Sequence, residues 1–327
     1  MKKSIACAVL ALLILCTGCA AAKNTEDPET ALSKQSEGTL TAVESTLSET
    51  ESTLPEGESA FSEGESTLPE TEVVSSETES TLPETEVVSP TETEDDSAFE
   101  RSWQEVFSLV ETMKHDETAF TEGLSVYNGD LFESTGRYGA SKIVRYKGIA
   151  TDEIIEEQEF ADTVFAEGSA VLDGVLYQLT WKNGAVILFD PETLDAIDAL
   201  AYPREGWGLT SDGKNLIAGD GSDCLYFMDG ELQTVKTLYV HCGGEKVTNI
   251  NELEFDGEYI LANVWMENYV AVIDYETGKV LMKIDFTDLL PENATGDNVL
   301  NGIAFDGRYY YFTGKNWNVM YKMEKLK

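Results

Sequence analysis

The chain has only 2 histidines and 5 cysteines in 327 residues, and each scarcity closes off a class of chemistry. His115 and His241 stand far apart with no cysteine cluster around them, so the sequence offers no zinc site or other metal centre built from side chains. Ser134 and Ser222 lack a histidine partner at any recognisable spacing, which disfavours a serine-hydrolase mechanism. Only Cys224 and Cys242 lie beyond residue 19; their spacing does not require a disulfide, and buried free thiols fit equally well. Basic residues number 22 against 61 acidic ones, a formal net charge of -39, which makes nucleic acid an improbable partner. Beyond Leu15 no apolar run is long enough to cross a bilayer.

Aromatic residues are nearly missing from Ala20 to Asp96, where Phe61 stands alone and Lys23 and Lys34 are the only basic residues in a run dense in glutamate. Such a segment cannot bury enough apolar surface to offset the entropy of ordering, so residues 19–100 are expected to be a disordered acidic linker. Its segment Glu65 to Ser75 (ESTLPETEVVS) recurs word for word at Glu79 to Ser89, a duplication that a spacer tolerates and a packed core would not. Like charges extend such a linker, and roughly half of the chain's net charge sits in it. Ahead of it, Met1-Lys2-Lys3, the apolar stretch Ile5 to Leu15 and Thr17-Gly18-Cys19-Ala20 have the layout of a secretory signal ending in small residues before a cysteine. It resembles a bacterial lipoprotein signal, which implies cleavage after residue 18, lipidation of Cys19 and an extracytoplasmic, membrane-tethered protein. An uncleaved anchor helix is the alternative, although the apolar run is short for that role.

From residue 101 to 327 the chain repeats one pattern five times: a buried-looking stretch, a tight glycine turn, a hydrophobic run, a polar loop and a second hydrophobic run. The turns are Asn128-Gly129, Asp173-Gly174, Asp212-Gly213, Asp256-Gly257 and Asp306-Gly307. Their spacing of roughly forty to fifty residues is the period of a propeller blade. Asn-Gly and Asp-Gly favour type I′ hairpin turns, which need positive φ at both central positions. Third strands such as Val270 to Ile273 end in turn chemistry, Asp274-Tyr275-Glu276-Thr277-Gly278, that returns the chain into a fourth strand from Val280 to Ile284. The expected fold is therefore all-β, a five-bladed propeller with four antiparallel strands per blade. The fifth repeat runs out before its outer strand, and an unassigned β-rich stretch from Val106 to Val110 precedes the first; the N-terminal strand should complete the last blade.

Laid in register, the starts of the five first strands carry Glu122, Glu167, Trp207, Asn251 and Asn301, an unusual ring of carboxylates, amides and an indole around one mouth of the channel. Loops between second and third strands rise at the same end and bring Trp181, Trp265, Trp317 and Lys315. Four of the tryptophans are thus expected near one mouth as an aromatic box. Glu167 could trade protons there and Lys315 could meet developing negative charge. The carboxyl pair Glu122 and Glu167 also admits glycoside hydrolysis, which leaves the lysine and amides unexplained.

The ordered series FTEGL, LFESTGRYG, LYQLTW, EGWGLT, NELEF, ANVW, NVLNGIA and TGKNW resembles the plant and bacterial type of glutaminyl-peptide cyclotransferase, from about Trp103 to the end. That resemblance implies a zinc-independent aminoacyltransferase that converts N-terminal glutamine of a peptide or protein into pyroglutamate with release of ammonia. It assigns Glu167 as the acid/base carboxyl, Lys315 as oxyanion stabiliser, and Glu122, Phe165, Trp181, Trp207, Asn251 and Trp265 as the substrate-binding set. Glu122 stands where the family more often has glutamine. The resemblance requires no cofactor and allows a structural calcium held in the channel by main-chain oxygens; the chain is expected to be a monomer. The rival reading is a catalytically silent lipoprotein propeller that binds peptides or glycans.

Overall fold

A strand whose alternate residues are both apolar must bury two faces, and here each blade is pressed between two others. The computed structural model describes residues 98–149 and 152–327. The signal, Cys19 and the acidic linker through residue 97 lie outside them. Two strands lead in, β1 (Phe99–Ser102) and β2 (Phe107–Lys114), separated by a one-turn helix, Trp103–Val106. The first blade is β3 (Thr121–Tyr127), β4 (Asp130–Thr135), β5 (Lys142–Tyr146) and β6 (Ile154–Glu159). The second is β7 (Ala166–Leu172), β8 (Val175–Thr180), β9 (Ala185–Phe189) and β10 (Ala196–Ala201). The third is β11 (Leu209–Ser211), β12 (Leu216–Gly219), β13 (Cys224–Met228) and β14 (Thr234–Tyr239), followed by a small hairpin, β15 (His241–Cys242) and β16 (Glu245–Lys246). The fourth is β17 (Ile250–Phe255), β18 (Tyr259–Val264), β19 (Tyr269–Asp274) and β20 (Val280–Asp285), and the fifth β21 (Leu300–Phe305), β22 (Tyr309–Gly314) and β23 (Val319–Lys325). The innermost strands lie side by side around the channel, and β21 returns against β3.

The fifth blade takes its outer strand from the N-terminus: β2 runs antiparallel to β23 from Phe107 opposite Lys325 to Lys114 opposite Val319. This is the expected closure, longer than foreseen at its C-terminal end and without Val106, which belongs to the helical turn. Two features depart from the expected pattern. The fourth blade has a fifth strand, because β1 pairs parallel with β20. The β15–β16 hairpin has no counterpart in the other repeats.

Only two of the five glycine turns have positive φ at both central residues, Asn128-Gly129 and Asp173-Gly174. In the other three the glycine alone is left-handed, and the aspartate spends its side chain instead. Asp212 Oδ1 accepts the amides of Lys214 and Asn215, Asp256 Oδ1 those of Glu258 and Tyr259, and Asp306 Oδ1 those of Arg308 and Tyr309. The second oxygens of the three take hydroxyls from Tyr275, Tyr310 and Tyr311. The dipeptide therefore marks the turn in all five repeats while its geometry differs, because an Asp side chain can stand in for a backbone acceptor.

Five apolar clusters fill the five wedges between neighbouring blades. Phe132 and Ile143 meet Leu176 and Phe189 between the first and second blades, and Leu124 and Val144 meet Tyr311 and Met320 between the fifth and first. Alternation divides each strand between its two wedges: in β18, Ile260 and Ala262 face the third blade and Leu261 the fifth. A fully buried side chain such as Phe189 or Ile143 stabilises by roughly 1.5–3 kcal/mol. Cys224 and Cys242 are free thiols.

Candidate active site

Propeller geometry places the starts of inner strands and the loops after second strands at one rim, and the chain puts its polar exceptions there. Glu122 and Glu167 lie near the starts of β3 and β7, Asn251 on β17, Trp207 just before β11, and Lys315 just after β22. Together with Phe165, Trp181 and Trp265 they line a single cavity of about 440 Å³. Every residue assigned to catalysis or substrate binding thus shares one pocket.

At its base Lys315 Nζ lies 2.7 Å from both carboxylate oxygens of Glu122, with both side chains buried. Asn301 Nδ2 donates to the Thr121 carbonyl at 2.8 Å and reaches Glu122 Oε2 at 3.4 Å. Asn301 therefore supports Glu122 from the floor and does not line the cavity. The Glu122 and Glu167 carboxyl groups are neighbours and each perturbs the titration of the other. Burial pushes Glu167 well above the usual carboxylate range, and the Glu122 charge pushes it further. Burial also raises Glu122, against the pull of Lys315. With the ammonium on Glu122's side and the Glu122 charge raising its neighbour, the electrostatics favour the proton on Glu167.

The main chain at Glu167 is fixed by two donors, Ser134 Oγ and Gln178 Nε2, each 2.6 Å from its carbonyl. Ser134 is thus a brace for the acid and not a nucleophile. Asn251 Oδ1 is buried and has no hydrogen-bond partner among the described residues, so it presents an acceptor to the cavity.

Aromatic rings make the walls. Phe165 and Trp181 have centroids 5.5 Å apart, and Trp207 meets Trp265 edge-on at 6.2 Å. Two glycines make room for them. A Cβ on Gly136 would lie 2.4 Å from the Phe165 ring and 2.9 Å from Glu122 Cγ, and one on Gly221 would lie 2.7 Å from the Trp207 indole. Trp317, expected at this mouth, is instead fully buried between the fourth and fifth blades, its indole donating to the Asn298 carbonyl at 3.0 Å. Its loop folds back under the chain because Gly314 leaves space for the ring, at 2.3 Å from where a Cβ would stand.

Phe120, Arg137 and Asp297 also line the cavity. Phe120 precedes Glu122 by two residues as Phe165 precedes Glu167, so the repeated F-x-E-G pattern was a signal for it. Arg137, in one of the loops expected at this mouth, sits with its guanidinium 4.2 Å from the Phe120 ring centroid on a left-handed backbone, φ 92°. Asp297 belongs to the irregular segment between β20 and β21.

Deeper in the channel stands a residue the repeat did not predict. Four inner strands carry glycine after the ring residue, Gly123, Gly168, Gly208 and Gly302, where β17 carries Glu252. At Gly208 a Cβ would collide with the Asn251 carbonyl, so close is the neighbouring strand. Glu252 instead spans the channel, accepting the Leu124 amide at 3.1 Å and the Ile303 amide at 2.8 Å. Among the described residues no group of three or more His, Cys, Asp and Glu could hold a metal ion. The main-chain oxygens of Thr121, Glu167 and Trp207 at the strand starts already accept protein hydrogen bonds.

The chain matches a family model described as glutamine cyclotransferase over residues 81–325. It is similar to the glutaminyl-peptide cyclotransferase of Arabidopsis thaliana, at 35% identity over 230 residues that cover 67% of this chain and 71% of the relative. Its fold is similar to the crystal structure of Myxococcus xanthus glutaminyl cyclase, with a TM-score of 0.62 and 29% identity, covering 71% of this chain and 100% of that one.

Proposed function

The chain belongs to the glutamine cyclotransferase family, and from that premise we propose how its pocket converts an N-terminal glutamine into pyroglutamate with release of ammonia. The observation that carries the reading is the buried series Glu167, Glu122 and Lys315 at the base of an aromatic-walled cavity. The substrate supplies its own nucleophile, so the enzyme's first task is to fold the glutamine side chain until its α-amine meets the γ-carbonyl carbon. Such near-attack positioning is worth several kcal/mol without any covalent intermediate on the protein. Phe165, Trp181, Trp207 and Trp265 exclude water and hold the methylenes, and Asn251 Oδ1 accepts an N–H of the substrate.

Attack forms the new C–N bond and places negative charge on the carbonyl oxygen. The Lys315 ammonium carries three N–H donors, and those not held by Glu122 can meet that oxygen. Collapse breaks the bond to the amide nitrogen, which leaves as ammonia only after gaining a proton. Glu167 donates that proton, and the Glu122–Glu167 pair recovers one from the attacking nitrogen, so the pair ends as it began. In this reading all these transfers use side chains, the mechanism of a zinc-independent aminoacyltransferase. Incubation of the purified protein with a Gln-initiated peptide, following ammonia, tests the reading; production no faster than spontaneous cyclisation overturns it.

The N-terminal segment is read as a lipoprotein signal of residues 1–18, with Cys19 lipidated and residues 19–100 spacing a monomeric catalytic domain at 101–327 from an extracytoplasmic membrane surface. Its support is the charge and residue pattern alone. Incorporation of labelled palmitate that is lost in Cys19→Ser is the expected result, and equal labelling of the two would exclude it.

A further inference from the structure

Glu205 has no place in the mechanism above and does not line the cavity, yet it touches two of the residues that do. It lies in the connection between β10 and β11, and its Oε2 accepts the indole N–H of Trp181 at 3.0 Å and that of Trp207 at 3.4 Å. These tryptophans come from different blades. An indole N–H is a donor only, so a single carboxylate oxygen between two of them fixes the rotation of both rings. The other oxygen, Oε1, is 3.4 Å from Lys182 Nζ, and that ammonium sits 4.0 Å from the centroid of the Trp181 ring. The backbone is laced in the same place: Gly206 N donates to the carbonyls of Thr180 and Trp181 at 3.2 and 3.0 Å. Trp265 packs edge-on against Trp207, so the orientation set at Glu205 reaches a third wall.

We propose that Glu205 is a positioning residue of the cyclisation, acting through Trp181 and Trp207: its carboxylate sets the two indoles at the angle at which the pocket holds the folded glutamine side chain. The inference rests on the cyclotransferase reading of the pocket. The Glu205 charge also adds to the forces that keep Glu167 protonated, a second route by which it supports the reaction.

Steady-state kinetics on a Gln-initiated peptide, with near-ultraviolet circular dichroism of the tryptophans, test this in Glu205→Ala and Glu205→Gln. Loss of a charge-assisted hydrogen bond to each wall should raise KM roughly tenfold in the alanine variant with a smaller fall in kcat, and change the indole signal. The glutamine variant keeps a neutral acceptor and should recover part of KM. In a Trp181→Phe background, which has no indole N–H to orient, the effect of Glu205→Gln on KM should shrink. A merely structural role would lower the melting temperature while leaving KM and the indole spectrum of the folded protein unchanged. Wild-type KM and spectrum in Glu205→Gln, or an undiminished effect in the Trp181→Phe background, overturn the proposal even if the alanine variant fails to fold. An inactive wild type would instead overturn the cyclotransferase reading itself.

Discussion

Lys315 and Glu122 stand 193 residues apart in sequence and form a buried ion pair with contacts of 2.7 Å, joining the fifth and first blades under the pocket. The pair decides where the proton of the neighbouring Glu167 resides, and with it the direction of proton transfer in the proposed reaction.

Glu167→Gln keeps the shape of the acid and removes its proton chemistry. Turnover should fall on the order of a hundredfold or more, with little change in KM, as for a positioned acid/base group. Rates of ammonia release check this, and an unchanged kcat would remove Glu167 from its role.

Glu122→Gln leaves Lys315 positive without its carboxylate. Two of the forces on Glu167 then change together: the neighbouring negative charge that raises it is lost and the ammonium that lowers it is no longer offset. Glu167 should titrate at lower pH, and the limb of the kcat–pH profile that reports its deprotonation should move to lower pH in the variant. Glu122→Ala, which strands a buried ammonium, should cost roughly 3–5 kcal/mol in denaturant unfolding.

His115 and Glu133 provide a second pH-sensitive contact, remote from the reaction. His115 Nε2 lies 2.9 Å from Glu133 Oε1 and its Nδ1 2.8 Å from the Trp317 carbonyl, joining the end of β2, the fifth blade and β4 of the first. Burial opposes the imidazolium, but Glu133, the Trp317 carbonyl and Asp116 together outweigh it and the histidine is raised, while His115, Thr121 and Tyr146 hold Glu133 low despite its burial. The histidine's contribution is complete below its unfolded value of about 6.5 and is lost as pH rises through the higher folded value. The glutamate's contribution is complete above about 4.3 and is lost as pH falls through the lower folded value. Thermal stability of wild type relative to His115→Ala should therefore peak between those limits, with a difference of roughly 3–5 kcal/mol from stranding Glu133. A pH-independent difference would show that the pair is not ionised.

Glu254, two residues past Glu252 on β17, accepts the Phe305 amide at 3.0 Å, and burial pushes its carboxyl up to about 8. A raised carboxyl contributes stability that is complete below the unfolded value of about 4.3 and is lost as pH climbs to the folded one. Melting temperatures of wild type should decline between those values more steeply than those of Glu254→Gln, whose amide does not titrate. Parallel curves would assign the decline to other groups.

The strands were legible because their signals are short-ranged: alternation gives two buried faces, and Asp-Gly or Asn-Gly marks a reversal whichever turn geometry it adopts. The aromatic walls and both carboxyls of the pocket were legible too, because a repeat puts equivalent positions at equivalent places and exceptions stand out. Trp317 shows the limit of that reasoning: the position equivalent to Trp265 is Lys315, whose amide bonds to the Val299 carbonyl as that of Trp265 does to Asn249, and Trp317 two residues further on turns into the wedge between blades. Arg137, Glu205 and Glu252 show another limit. A left-handed backbone is set within the first blade, while a carboxylate shared by two indoles and a strut across the channel are contacts between blades that no local pattern encodes.

By itself the sequence determined five β repeats, their closure by the N-terminal strand and the residue types gathered at one mouth, because hydrophobic period and turn chemistry act over a few residues. Only the closed ring decided that Lys315 neutralises Glu122, that Glu167 keeps the proton, and that Glu205 sets two of the walls. Those outcomes depend on distances of about 3 Å between groups far apart in the chain and on the loss of water around them, and both exist only once the blades have packed.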